Sequence, residues 1–397
     1  MNPAEIAWTL PVALSALLYT TMIATFALAR ARAVRASSRV PRTSPRVSIL
    51  KPLAGRDDDL ASNLDTFAAL AWPDFELLIG VASPDDPAFE EARAFVRRHP
   101  RVCARVLVTD PEAALNPKVA QLLTLEREAT GDIVVISDSN VRVTSRWLDA
   151  LVSELEQPDV GLVSTLVAGT GERSLGAALE NLQLATAIAP GIAAAFALSG
   201  RAITVGKSMA MRRSALRDAG GFEAVRDVLA EDHVLGRLVS AAGWRVRVSA
   251  STVENRNVRC GAVRMLERHA RWMLMRRVLA PAGFALEPVL SPIAVATVVA
   301  LVAQTKASGV ALAAAGVLQM TGALVATRLL RGRGFDYRLL PLEVVRAYAA
   351  LGCWVVAWGR RRVSWRGHEL EVGAGTLLRR AAPARVARRP RRAPSAA

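Results

Sequence analysis

The sequence predicts an α/β protein: a Rossmann-like, mostly parallel sheet of the nucleotide-binding type, with one N-terminal and two or more C-terminal transmembrane helices. Three observations predict it. Short apolar β-like runs alternate with helical patterns from Val47 to about Asn255, which argues a sheet with helices on both faces. Apolar stretches of about membrane-spanning length lie before and after that region. Finally, 52% of the 397 residues are hydrophobic and mean hydropathy is +0.26, yet the formal net charge is +16. A soluble basic protein is seldom that apolar, whereas membrane spans with basic flanks reconcile the two numbers.

Taken in order, Ile6 to Ala29 is apolar, with Glu5 before it and Arg30, Arg32 and Arg35 after it. A signal peptide would carry its basic residues first and have a shorter core. The run therefore reads as a transmembrane signal-anchor over 1–30, and the positive-inside rule places the chain after Arg30 in the cytoplasm. A Pro/Ser/Arg linker, 31–46, leads to a nucleotide-type domain over 47–277. Its first strand is Val47 to Leu50, and Asp57 to Leu70 reads as an amphipathic helix with an acidic first turn. Phe75 to Val81 and Arg105 to Thr109 are further strands, and Asn116-Pro117-Lys118 opens a helix with Pro at its first position. Strands come next at Ile133 to Asp138 and Val160 to Val167. Arg173 to Ser199 is a weakly polar helical segment, broken at Pro190, that lies in the membrane surface or packs over the site. Thr204 to Met209 returns to the sheet, Val234 to Ala242 is helical, and Trp244 to Val248 is a strand.

Transmembrane and interfacial helices fill 278–360. Pro288 to Ala303 and Ser308 to Ala326 read as two spans joined by Gln304 to Ala307, with Arg328, Arg331 and Arg333 marking the cytoplasmic side. Glu343 and Arg346 interrupt Leu339 to Trp358, which reads as interfacial or re-entrant. A basic cytoplasmic tail, 361–397, would lie on anionic lipid, its last part from Ala381 disordered. The result is a multi-pass protein of the cell inner membrane.

The chemistry centres on Gly131 to Val143, GDIVVISDSNVRV. Ligands of open α/β sheets gather outside the carboxyl ends of strands, so Asp138 is a carboxylate where a nucleotide would sit. It can hold a divalent cation that neutralises a diphosphate, or it can cap the following turn. No GxGxxG comes after the first strand and no GxxxxGK[ST] occurs, so a metal and basic side chains would have to hold the phosphates. Lysine occurs only at Lys51, Lys118, Lys207 and Lys306. Lys207, after Gly206, can reach a phosphate or be a plain surface lysine. Asp86 stands on the same sheet edge, or is a turn residue before Pro87. Glu231 and Asp232 begin a helix, where a carboxylate favours the dipole or serves as a general base, with His233 beside it. Arg268 and Arg271 share a helix face with Trp272, a pattern able to clamp a diphosphate or to lie at a membrane surface. Cys103, Cys260 and Cys353 form neither a disulfide framework nor a zinc site.

Together, Asp86, Asp138, Asp232 and Arg268-His269-Ala270-Arg271-Trp272 resemble the D, D, D, (Q/R)xxRW pattern of the ceramide glucosyltransferase family, glycosyltransferase family 21, within the family 2-like superfamily. Flanking stretches match too: Ser48 to Leu53 with Gly55, Asn63 to Phe67, Asp85-Asp86-Pro87, Asn116-Pro117-Lys118, Ser137-Asp138-Ser139 with Arg142-Val143, Ala230-Glu231-Asp232 and the late Ser364-Trp365-Arg366. Lys51, Lys118 and Lys207 fall inside the matching stretches. The resemblance, to a bacterial member, implies a GT-A fold, a UDP-sugar donor, a divalent metal (Mg2+ or Mn2+) and a lipid acceptor with a primary hydroxyl, ceramide or a hopanoid. It makes Asp86 a uridine contact, Asp138 with Asn140 the metal site, Asp232 the general base, and Arg268, Arg271 and Trp272 the grip on the diphosphate. Asn140 stands where a DxD enzyme has its second Asp, and Ala187 to Pro190 carries no histidine where the animal enzymes do. The rival reading is a basic, non-catalytic membrane scaffold. A tail without interleaved aromatics argues against nucleic acid, and a polymer-extruding transporter would need more spans.

Overall fold

The computed structural model describes residues 3–36, 40–365 and 368–380. It opens with α1 (Pro3–Ala36), then runs β1 (Val47–Pro52), α2 (Leu60–Ala68), β2 (Phe75–Val81), α3 (Pro87–Arg98), β3 (Ala104–Val108), α4 (Pro117–Glu128), β4 (Ile133–Ser137), β5 (Val141–Arg142), α5 (Trp147–Leu155) and β6 (Val160–Thr170). Next come α6 (Leu175–Gln183), a π turn over Leu184–Ile188, α7 (Ala189–Ser199), β7 (Ser208–Arg212), α8 (Arg213–Asp218), α9 (Glu231–Ala241) and β8 (Arg245–Arg256). The chain closes with α10 (Ala262–Leu279), α11 (Pro281–Leu286), α12 (Pro292–Ala303), α13 (Lys306–Arg331), α14 (Leu342–Gly359), β9 (Arg362–Trp365), β10 (His368–Val372) and β11 (Leu378–Arg380).

The expected α/β class is what the chain adopts. Among the described residues one sheet has the order β3-β2-β1-β4-β7-β6-β8-β5. The pairs from β3 to β4 and β6–β8 are parallel, while β7 and β5 run antiparallel to their neighbours. Largely apolar runs, buried on both faces, account for β1, β2 and β4. Helices α2, α3 and α5 pack on one face and α4, α8 and α9 on the other. Because β7 is antiparallel to β4, with Ser208 opposite Ser137, its first residue meets the carboxyl end of β4. That reversal brings Lys207 beside Asp138.

Several local expectations change. The acidic residues placed in the first turn of a helix instead precede α2, with Asp59 in the left-handed region (φ 57°). They have stronger partners elsewhere: Asp58 accepts from Val258 N and Arg259 N at 2.8 Å each, and Asp59 pairs with Arg256 at 2.9 Å. The helix does not break at Pro190. It continues through the π turn, whose wider spacing accommodates the N–H that proline lacks.

The membrane region also differs. Among the described residues four helical stretches are long and apolar enough to cross a bilayer: Trp8–Arg32, Leu175–Ser199, Lys306–Arg331 and Leu342–Gly359. The span expected from Pro288 to Ala303 is not one straight helix: the 12-residue α12 is bent by 76° from Pro281–Leu290, and only the two together are long and apolar enough to cross, as a broken span or a re-entrant loop. At 1.5 Å per residue α12 rises about 18 Å, short of a roughly 30 Å core. Conversely, Glu343 and Arg346 do not break α14. Arg346 pairs with Glu343 at 2.6 Å, and Gln183, Thr186 and Gln319 complete the cluster. Buried polar groups satisfied by each other leave the rest of the helix apolar.

The expected basic tail is folded as far as Arg380. Strands β9, β10 and β11 form an antiparallel sheet whose Val363, Leu370 and Leu378 pack on Leu229 and Leu274. Arg366 and the segment from 381 onward lie outside the described residues.

Candidate active site

The carboxyl edge of β1, β2 and β4 faces the first turns of α4 and α9, and the side chains converge there. Asn116 caps α4 by accepting from Lys118 N and Val119 N, and Pro117 begins the helix. The Asn116 amide also donates to Val228 O (2.7 Å) and to Glu231 Oε2 (3.2 Å), tying α4 to α9. Lys118, one residue into the helix, spans the gap. Its Nζ lies 2.9 Å from Asp138 Oδ1, 3.1 Å from Glu231 Oε1 and 3.2 Å from Gly206 O. Lys207 Nζ lies 3.1 Å from Asp138 Oδ2 and 2.8 Å from Asn140 Oδ1. Lys51 is fully buried, over the Phe67 ring (4.3 Å), and donates to Asp138 O at 2.7 Å.

Asp232 sits in the first turn of α9. Its Oδ2 accepts from Gly206 N and its Oδ1 from His233 N, each at 2.7 Å, and Thr204 Oγ1 donates to its carbonyl at 2.7 Å. Gly206 keeps the junction close. A Cβ there would lie 2.7 Å from Lys118 Nζ and 3.1 Å from Asp232 Cβ.

The charges explain one another. Burial alone would raise the Asp138 carboxyl, but Lys118 and Lys207 outweigh it and hold it well below the usual carboxylate range. Burial opposes the charge on Lys118, yet Asp138, Glu231 and Asp232 hold its ammonium above the usual lysine range. Burial raises the Glu231 carboxyl, with Lys118 pulling the other way. Lys51 has mainly burial to contend with, which brings it down to about 7 against the pull of Asp138.

Whether the donor set suits a divalent ion is decided by its chemistry. Asp138 Oδ2 and Asn140 Oδ1 converge on a single point, and the Lys207 ammonium stands in for a cation there. Among the described residues no three His, Cys, Asp or Glu side chains gather as a metal cluster. The pair therefore fits a cation only of the kind that takes its remaining ligands from a diphosphate and water.

The site opens into a cavity of about 1190 Å³. Its charged end is lined by Lys118, Asp138, Asn140, Lys207, Glu231 and Asp232, and Arg268, Arg271 and Trp272 of α10 also line it. Arg268 pairs with the buried Glu180 of α6. Trp272 meets His269 edge to face, centroids 4.7 Å apart. The far wall is largely apolar: Met22, Ile192 and Trp354 come from helices of membrane-spanning length, and Phe284 and Ala294 from α11 and α12. Asp86 is not among the lining residues. Both its oxygens accept from Gly55 N (2.9 and 3.1 Å) and Oδ1 also accepts from Ala88 N (2.8 Å). It fixes the loop after β1 and caps α3.

Sequence reasoning placed Glu231 with Asp232 at a helix start, as a carboxylate favouring the dipole or a general base, but not as a partner of Lys118, and it gave Glu180 no role. Glu231 is adjacent to Asp232, and that adjacency was the available signal. Glu180, 88 residues from Arg268, left only an isolated acid in an apolar stretch.

The sequence profile described as "Glycosyl transferase family 21" matches residues 8–378. Ceramide glucosyltransferase 1 of Caenorhabditis elegans is 28% identical over 247 residues, 62% of this chain and 53% of that protein. The ceramide glucosyltransferase of Komagataella phaffii is 32% identical over 155 residues, 38% of this chain and 30% of that protein. The chain thus spans about half the length, or less, of these relatives. Among solved structures, a mannosyltransferase from Pyrobaculum calidifontis in complex with GDP-Man and Mn2+ aligns with a TM-score of 0.49 at 20% identity, covering 88% of this chain and 99% of that one.

Proposed function

The chain belongs to glycosyl transferase family 21, and from that premise we propose that it is a membrane-bound, inverting glycosyltransferase moving glucose from UDP-glucose to the primary hydroxyl of ceramide. The observation that carries the reading is the continuity of the cavity, which joins a carboxylate–lysine cluster to a largely apolar wall built in part by helices of membrane-spanning length. A nucleotide diphosphate and a lipid hydroxyl have opposite solvation needs, and a cavity of this polarity serves both. The names of the relatives supply the sugar and the acceptor. The arginines after the first apolar helix favour a cytoplasmic catalytic domain in the inner membrane.

In this reading Asp232 takes the proton from the acceptor hydroxyl as its oxygen attacks the anomeric carbon. The bond from that carbon to the UDP oxygen breaks on the opposite face, and UDP leaves with the electron pair. Two backbone N–H groups on Asp232 hold the carboxylate in register. Lys118 and Lys207 supply positive charge beside the diphosphate, and Arg268 and Arg271 line its other side with Trp272. Asp138 and Asn140 would hold a Mg2+ or Mn2+ ion shared with the diphosphate, where it would neutralise leaving-group charge. Asp86 acts through the backbone of Gly55 on the loop that lines the site.

The test measures UDP release from UDP-glucose in detergent with short-chain ceramide, with and without EDTA. Asp232→Asn should lower kcat by about 10²–10⁴-fold, the usual worth of a general base. A variant within tenfold of the natural chain would remove Asp232 from the mechanism. Turnover with a hopanoid polyol and UDP-N-acetylglucosamine, and none with ceramide, would overturn the acceptor.

A further inference from the structure

The point where the Asp138 and Asn140 oxygens converge is held by a cation belonging to the chain itself. Lys207 Nζ is 2.8 Å from Asn140 Oδ1 and 3.1 Å from Asp138 Oδ2, within hydrogen-bond range of both. Lys118 Nζ covers the remaining Asp138 oxygen at 2.9 Å. Neither carboxylate oxygen is without an ammonium partner. The lysine is also placed by the fold. Lys207 O accepts from Asp138 N (3.3 Å), and the antiparallel register of β7 on β4 fixes the two residues opposite each other.

We propose that Lys207 is a tethered cation that guards the Asp138–Asn140 pair against free divalent metal and turns to the diphosphate when donor and metal arrive together. The inference rests on the glycosyltransferase reading for the identity of the anion, but the exclusion of free metal does not depend on it. Two cations cannot share one pair of neutral and singly charged oxygens at these distances, since a divalent ion repels an ammonium twice as strongly as one unit charge repels another. A diphosphate removes the conflict. Its oxygens complete the coordination that two protein donors cannot, and they give the displaced ammonium a new partner. Metal and nucleotide would then bind cooperatively, each strengthening the other.

The experiment measures Mn2+ binding by electron paramagnetic resonance on the full-length protein in detergent, with Mn2+ alone and with Mn2+ plus UDP. The natural chain is expected to bind Mn2+ at least about tenfold more tightly with UDP present. Lys207→Met should bind Mn2+ without nucleotide at least about tenfold more tightly than the natural chain does, and Lys207→Arg, which keeps the charge, should not. Equal Mn2+ affinity in the natural chain with and without UDP, where calorimetry shows that UDP binds, overturns the proposal on that chain alone, whether or not a variant folds. Equal affinity of the natural chain and Lys207→Met for Mn2+ alone overturns it as well. Parallel calorimetry with UDP separates the two readings. Absence of UDP binding with any metal condition would count against the glycosyltransferase reading, and the nucleotide-free comparison would still decide the role of Lys207.

Discussion

Lys118→Met is the sharpest test of the charge arrangement. The substitution keeps the length of the stem and removes one ammonium shared by Asp138 and Glu231. Removing one partner of a buried pair costs about 3–5 kcal/mol, because a charge is left without compensation. Two features place the cost at the low end, about 3 kcal/mol. Asp138 keeps Lys207, and Glu231, already raised by burial, can take up a proton. At about 2–4 °C per kcal/mol for a domain of this size, the apparent midpoint should fall by about 6–12 °C, read from tryptophan fluorescence at a fixed scan rate. A carboxyl with a raised folded-state pKa binds its proton more readily folded than unfolded. The deficit should therefore shrink as pH falls from neutrality toward the ordinary glutamate range. Glu231→Gln in the Lys118→Met background should recover at least about 1 kcal/mol relative to additivity. Strict additivity of the two substitutions, or an unchanged midpoint in Lys118→Met, would refute the argument.

The same geometry sets other outcomes. Lys51, brought down to about 7, loses charge as pH rises through neutrality. With UDP-glucose as the proposed donor, whose diphosphate does not titrate there, affinity should fall by about fivefold or less from about pH 6 to about pH 8, an effect of roughly 1 kcal/mol. Calorimetry on Lys51→Met should show no such slope. Gly206→Ala pushes on Lys118 and Asp232 together, and a misplacement of that kind costs up to about 10²-fold in kcat. A kcat within twofold of the natural chain would show that the junction is not tight. Arg346→Met leaves Glu343 buried with only Thr186 and Gln319 as donors, at a cost of about 3–5 kcal/mol. The protein recovered as a single species after gel filtration should drop sharply, and Glu343→Gln in the same chain should restore part of it.

Much of the fold and the site was readable from residues alone, for identifiable reasons. Asp138 stood out because an apolar strand ending in a polar turn has few other interpretations, and the three site lysines because lysine is so scarce in an arginine-rich chain. The parts that stayed hidden depend on contacts distant in sequence. Glu343 and Arg346 looked like an interruption because their neutral partners, Gln183 and Gln319, lie on other helices. Asp86 was weighed as a turn residue before Pro87 or a ligand contact; it does cap α3 at Pro87, and its further tie to Gly55 is the part that could not be read. In β9 and β10, the alternation of Val363 and Leu370 with charged neighbours was present but masked by the surrounding arginines.

The small C-terminal sheet has a bearing on how the protein is made. Thr376, fully buried and in the left-handed region (φ 65°), accepts from Leu229 N through its carbonyl and from Ala230 N through its hydroxyl, immediately before Glu231 and Asp232. Leu378 N donates to Asp227 O in the same stretch. The contact between Ala230 and Thr376 spans 146 residues, and α10 to α14 lie between them. On the ribosome, the segment bearing Asp232 is finished long before its anchor is translated, and the anchor arrives only after those helices have been threaded into place. A polypeptide halted midway, or one whose helices insert wrongly, carries the acidic pair without the clamp that orients it. The acidic pair therefore reaches its final setting only once the intervening helices are in place and the last strands have closed over it.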